Sequence, residues 1–312
     1  MYNITIPENT SSNCFDNIYY SFLKYFEFDY KAYNIKYFYT DYYKISFNDI
    51  TQCICRRTPN ENILKDIYNI DVVFKDRNES DNLFEIICNS LNNRPVGIII
   101  DPYYCYWSPF YKKSHYFHVI FIVNVDYHEK KYICFDVHFD SIGYVKVDFD
   151  IINKNFEQYF ILNFKEVNEV KIEFLADKIK IVLDSFDNNL DTKKTELIDY
   201  FIMNDRRELF SENIKTSIPL INLMWISEDK KNFSIALRYI EDKLKKTVFS
   251  SVYELLLISQ QNFLLLKSML IKYAIAGVLK ENNLKSIINE IFNTDEIIIE
   301  QMKNILKEIE NK

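Results

Sequence analysis

His118-Val119-Ile120-Phe121-Ile122-Val123-Asn124-Val125, a turn from Asp126 to Lys130, then Tyr132-Ile133-Cys134-Phe135-Asp136-Val137: two apolar runs rich in β-branched and aromatic residues flank a short turn. This pattern predicts a β-hairpin. Upstream, Val96-Gly97-Ile98-Ile99-Ile100 lies between Pro95 and Asp101-Pro102, as a buried strand should. Asp71 to Lys75, Tyr144 to Phe149 and Phe160 to Phe164 read as further strands. Helices join them. Ile18, Tyr19, Phe22, Leu23 and Phe26 fall at the spacing of one buried helical face, Glu61 to Tyr68 follows Pro59 as a short helix, and Ser80 caps a helix presenting Leu83, Phe84, Ile87 and Leu91. Phe28 to Tyr43, dense in Tyr and Phe, reads as extended or irregular chain packed on the first helix.

From about Val167 the period changes. Leu175 to Phe186, Thr195 to Phe201, Phe233 to Leu244 and Val252 to Ile258 have helical spacing, and Phe263, Leu266, Leu270, Tyr273 and Gly277 form a packed seam. Thr294 reads as the cap of a last helix, with Asp295 and Glu296 in its first turn. The class is therefore α+β with a C-terminal helical region, divided as residues 1–165 and 166–312.

Composition narrows the functions. A chain of 312 residues with 48% hydrophobic content can bury one large core or two moderate ones, and two domains is the better reading. Three glycines and no Gly-rich phosphate motif exclude Rossmann and P-loop enzymes. A net charge of −7 and a pI near 5.3 oppose a general nucleic-acid or anionic-membrane role. Phe263 to Leu279 is the most membrane-like segment, but Lys267 and Lys272 inside it favour a core helix. Met1 to Pro7 lack the basic and apolar parts of a signal peptide, so residence in the cytoplasm and six reduced cysteines are expected. Cys53-x-Cys55 is too closely spaced for a zinc pair, and no metal is implied.

Ser11-Ser12-Asn13-Cys14-Phe15-Asp16 carries the chemistry. Asn13 is a good N-cap and Asp16 completes a box-like pattern, so backbone N–H groups gather around the Cys14 sulfur, where partial positive charge favours a thiolate. His118 opens a strand and Asp136 lies on its hairpin neighbour, so the two meet across the sheet if they share a face. Blander readings stay open: Cys14 as a small buried hydrophobe, His118 as a half-buried strand histidine, Asp136 as a lysine's partner. His115 is a rival base, ahead of the strand and less firmly held. The aromatic loop with Tyr103, Tyr104, Trp107 and Tyr111 either packs in the core or lines a cleft for an apolar acyl chain.

A cysteine at the start of an N-terminal helix, a histidine about a hundred residues later opening an apolar strand, and an aspartate eighteen residues beyond it resemble the papain-like cysteine enzymes. Asp101-Pro102-Tyr103-Tyr104, then Pro109-Phe110-Tyr111, then His118 is similar to the family of the butirosin biosynthesis protein BtrH and, more narrowly, to an amide-forming member from closthioamide assembly. The resemblance covers about residues 1–165. It implies a papain-like fold with Cys14 as nucleophile, His118 as general base and then acid, and Asp136 as the residue that orients His118. It also implies acyl transfer to an amine in secondary-metabolite assembly, with no bound cofactor and the acyl group presented on the phosphopantetheine of an acyl or peptidyl carrier protein. Lys112-Lys113 or Arg206-Arg207 could receive such an acidic carrier. A cysteine peptidase or amidase is the alternative, and a binding protein on a decayed papain-like fold the third reading. One departure concerns the oxyanion hole: where these peptidases carry a glutamine, this chain has Glu8 and Asn9, leaving the Cys14 N–H plus Asn9, Ser11 or Asn13 as unranked donors.

Overall fold

Six strands, β1 (Asp71–Asp76), β2 (Val96–Ile100), β3 (His118–Asp126), β4 (Lys131–Asp136), β5 (Gly143–Asp148) and β6 (Phe156–Asn163), form one sheet in the order β1-β6-β2-β3-β4-β5. Every neighbouring pair is antiparallel. The computed structural model describes residues 2–5, 14–38, 61–78, 82–113, 115, 117–137, 143–166, 169–185, 190–202 and 218–310. The expected hairpin is β3–β4, with Phe121 opposite Phe135 and a register shift between Ile122 and Asn124. The chain divides into two compact units, the described residues of Met1–Tyr30 with Pro59–Val170, and those of Lys31–Thr58 with Lys171–Lys312.

Alternation along the strands gives the sheet of the first unit two apolar faces. One packs Ile98, Ile100, Ile120, Ile122 and Cys134 against Leu83 and Ile87 of α3 (Leu83–Ser90) and Ile152 of α4 (Phe149–Asn155). The other receives α1 (Cys14–Tyr25), whose Phe22 meets Phe121 at 6.0 Å between ring centroids and whose Phe15 and Tyr19 each meet Phe160 at 6.1 Å. Phe22, Phe121 and Phe160 are fully buried, each contributing roughly 1.5–3 kcal/mol of burial free energy. Gly97 makes room for this layer: it stands opposite Phe160 in β6, and a Cβ there would lie 2.1 Å from that ring. A short helix α2 (Glu61–Tyr68) packs on β1.

The second unit contains α5 (Ile172–Ser185), α6 (Leu190–Ile202), α7 (Ile218–Leu244), α8 (Ser250–Ala276) and α9 (Glu281–Glu310). Central α8 packs against both α7 and α9, and α9 also against α5 and α6. Gly277 ends α8 at φ 70°, donating its N–H to the Tyr273 carbonyl at 2.8 Å, a left-handed cap that suits glycine. No helix among the described residues is long and apolar enough to cross a membrane.

Several local expectations are corrected. Thr294 does not cap the last helix: it lies inside α9, its Oγ1 donating to the Glu290 carbonyl at 2.7 Å. Asp295 is buried, accepting from Lys230 Nζ through Oδ2 and from Ser259 Oγ through Oδ1, each at 2.8 Å, so a tertiary partner takes the carboxylate that looked like a first-turn charge. Val252–Ile258 and the Phe263 seam belong to the single helix α8, and α7 begins well before Phe233. Tyr30–Phe38 is a 3-10 helix, not extended chain. Asn82 caps α3, its Oδ1 accepting from Glu85 N at 3.3 Å, while Ser80 lies outside the described residues.

Candidate active site

The site begins with the register of the hairpin. Phe121 pairs with Phe135, so one step further Asp136 stands opposite Ile120, on the face that His118 shares. His118 Nε2 lies 2.8 Å from Asp136 Oδ2, and both side chains are buried to within 1%. Ile100 of the fully buried strand β2 pairs with His118 from the other side. Trp107 supplies a second donor, its indole Nε1–H reaching the same Asp136 Oδ2 at 2.8 Å.

Cys14 opens α1 and is 8% exposed. Its neighbours place it. Phe15 packs on Phe117, the residue before His118, with ring centroids 6.2 Å apart. Asn17 Nδ2 donates to the carbonyl of Val137, the residue after Asp136, at 3.4 Å. The first turn of α1 is thus tied to the start of β3 and to the end of β4, near enough for Cys14 to add to the proton affinity of His118. Asp136 occupies Nε2 of that ring.

Electrostatics act on the histidine and on two other buried cysteines of this unit. Burial alone would lower the pKa of His118, but the charge and hydrogen bond of Asp136, with the interaction of Cys14, more than offset it and carry the imidazole from 6.5 up to about 9. Cys105 and Cys134 are pushed upward, first by burial; Asp136 and Asp101 add to the rise at Cys105, and the Cys105 thiol and Asp136 to that at Cys134. They remain thiols suited to packing. Cys14, Cys88, Cys105 and Cys134 are all free.

A second histidine–carboxylate pair lies at the end of β2. His115 Nδ1 is 2.6 Å from Asp101 Oδ2, with the histidine side chain 68% exposed. Tyr103 stacks on the ring at 4.3 Å and 17°, and Asp101 Oδ1 accepts from Tyr103 N at 2.9 Å. His115, ahead of the strand and more exposed than the fully buried His118, is held by an aromatic stack and a carboxylate. Tyr104 and Tyr111 are exposed, and Lys112 Nζ stands 5.1 Å from the Tyr111 ring centre. Tyr106 donates to the Lys146 carbonyl, and the Lys112 N–H to Tyr103 O closes the loop.

The structure therefore brings Cys14, His118, Asp136 and Trp107 together, and separately joins Tyr103 with His115. Asn9, Ser11 and Asn13 lie outside the described residues, as do Glu8, His138 and Arg206-Arg207. Among the described residues no cluster of His, Cys, Asp or Glu is arranged to hold a metal ion. Sequence reasoning counted Trp107 with the aromatic loop and missed its bond to Asp136; the signal was an indole donor in a loop adjoining a buried carboxylate. Asn17, Phe15 and Phe117 were missed as the residues that set the helix against the strands. No protein-family model matches the chain, and a search of curated proteins finds no match.

Proposed function

We propose that this chain is a papain-like cysteine acyltransferase that moves an acyl group from a carrier-protein thioester through Cys14 to an amine, forming an amide. The observation that carries the reading is a helix-opening cysteine whose first turn is tied to the ends of the two strands that present a buried histidine–aspartate pair. An antiparallel sheet with α1 on one face supports the papain-like assignment.

His118 takes the Cys14 proton, and the thiolate attacks the thioester carbonyl. The bond to the pantetheine sulfur breaks, and that sulfur departs as a thiolate, which then picks up the proton from His118. An amine then attacks the acyl-enzyme, giving its proton to His118, and the C–S bond to Cys14 breaks as the proton returns to sulfur. Asp136 holds the imidazole in one orientation and stabilises its charged form. Trp107 helps keep Asp136 ionised by donating to it. The Cys14 N–H, with Asn9, Ser11 or Asn13, would receive the oxyanion. A thioester suits such a site because its thiol leaves without the protonation that an amide nitrogen demands.

Exposed Lys112 and Lys113, on the loop that carries Tyr103 and Tyr111, offer positive charge to an acidic carrier. Assembly of a secondary metabolite is the setting that fits this reaction. The test supplies an acyl-loaded carrier with and without amines and follows amide and free acid separately. Amide formation that disappears in Cys14→Ala supports transfer; hydrolysis unaffected by any amine, or cleavage of peptides without reaction at thioesters, replaces it with the peptidase or amidase reading.

A further inference from the structure

Helix α8 is central in its unit and yet has an apolar outer face. Val252, Leu256, Phe263, Leu266 and Leu270 are buried toward its neighbours. On the opposite side Leu257 is 53% exposed, Ile258 41%, Leu264 40% and Leu265 50%. Spaced in sevens, these four form a continuous double stripe. Only two charges stand in line with it: exposed Glu254 at one end and exposed Lys272 at the other. Eighteen residues separate them, five whole helical turns, so both lie on the same line about 27 Å apart.

We propose that this face of α8 pairs antiparallel with the same face of a second copy of the chain. The opposite charges select that partner and direction. A two-fold axis opposite Phe263 brings Glu254 of each copy to Lys272 of the other, whereas a parallel pair would set like charges together. The same register puts Ile258 across from the small Ser268 and Leu265 across from the flexible Gln261, while Leu257 and Leu264 fill the intervals. Large side chains meet small or adaptable ones along the whole contact.

Sedimentation equilibrium of the full chain over a concentration series tests this. Wild type should dimerise. Glu254→Lys or Lys272→Glu, each placing like charges at both ends, should weaken the dimer about tenfold. The double reversal should restore it, an outcome that misfolding cannot produce. Leu264→Asp, at an exposed position, should give a folded monomer by circular dichroism. A wild-type monomer throughout, a dimer indifferent to Leu264→Asp, or single reversals that the double reversal does not rescue would each overturn the proposal.

Discussion

Trp107 donates its indole N–H to the Asp136 oxygen that also holds His118, both at 2.8 Å. Two donors on one carboxylate oxygen fix its direction and favour its ionised form. Trp107→Phe keeps an aromatic ring and removes one donor. We expect turnover to fall about tenfold with KM little changed, since a hydrogen bond to a charged group contributes on that scale. Asp136→Asn should cost more, because it also changes the polarity of the partner at Nε2. Steady-state kinetics on both variants decide it; unchanged turnover in Trp107→Phe would show that the contact only fills space.

The raised proton affinity of His118 makes stability depend on pH. Burial opposes the charged form, yet Asp136 and Cys14 carry the folded value to about 9 from 6.5. A group held above its unfolded value stabilises the fold fully below about 6.5 and loses that contribution as pH rises through about 9. The wild-type melting temperature should therefore fall across this window more steeply than that of His118→Gln. Parallel profiles for the two proteins would refute the coupling.

Gly97 and Phe160 share one space. Adding a methyl group at Gly97 places it 2.1 Å from the ring, inside the layer under α1. Gly97→Ala should destabilise the protein by about 1–3 kcal/mol, the usual cost of overpacking. In urea titrations the double variant Gly97→Ala with Phe160→Leu should be more stable than the sum of the single losses, as contacting sites require. Strict additivity would contradict the packing described.

Lys230, Ser259 and Asp295 tie α7, α8 and α9 together inside an apolar bundle. Removing only the carboxylate with Asp295→Ala leaves a buried ammonium and should cost about 3–5 kcal/mol. Replacing both charges, Lys230→Met with Asp295→Leu, should recover most of that loss. Chemical denaturation of the two variants distinguishes a buried ion pair from an exposed one, for which Asp295→Ala would be nearly neutral.

The strands were legible because β-branched runs such as Val119–Val125 announce themselves, and the short hairpin limits how His118 and Asp136 can meet. Trp107 was illegible in this role because its position depends on how the loop after β2 turns, through contacts such as Ser108 N–H to Cys105 O at 2.8 Å. The helical unit misled for a different reason. Thr294-Asp295-Glu296 has the composition of a helix start, but Lys230 lies 65 residues away, and only folding reveals that Asp295 faces it. Likewise nothing in the polar stretch Ser227-Glu228-Asp229-Lys230-Lys231 announces that Ser227, Asp229 and Lys230 are buried inside a bundle. Local pattern reports period and caps; it is silent on which distant group satisfies a buried charge.

The central claim is that Cys14 carries the acyl group, and intact-protein mass spectrometry after brief mixing with an acyl thioester tests it most directly. We predict a mass increase of one acyl group, mapped by peptide digestion to Cys14, absent in Cys14→Ala and discharged as amide when an amine is added. An unmodified protein that nonetheless turns over the thioester, or an acyl group mapped to another cysteine, would contradict the account.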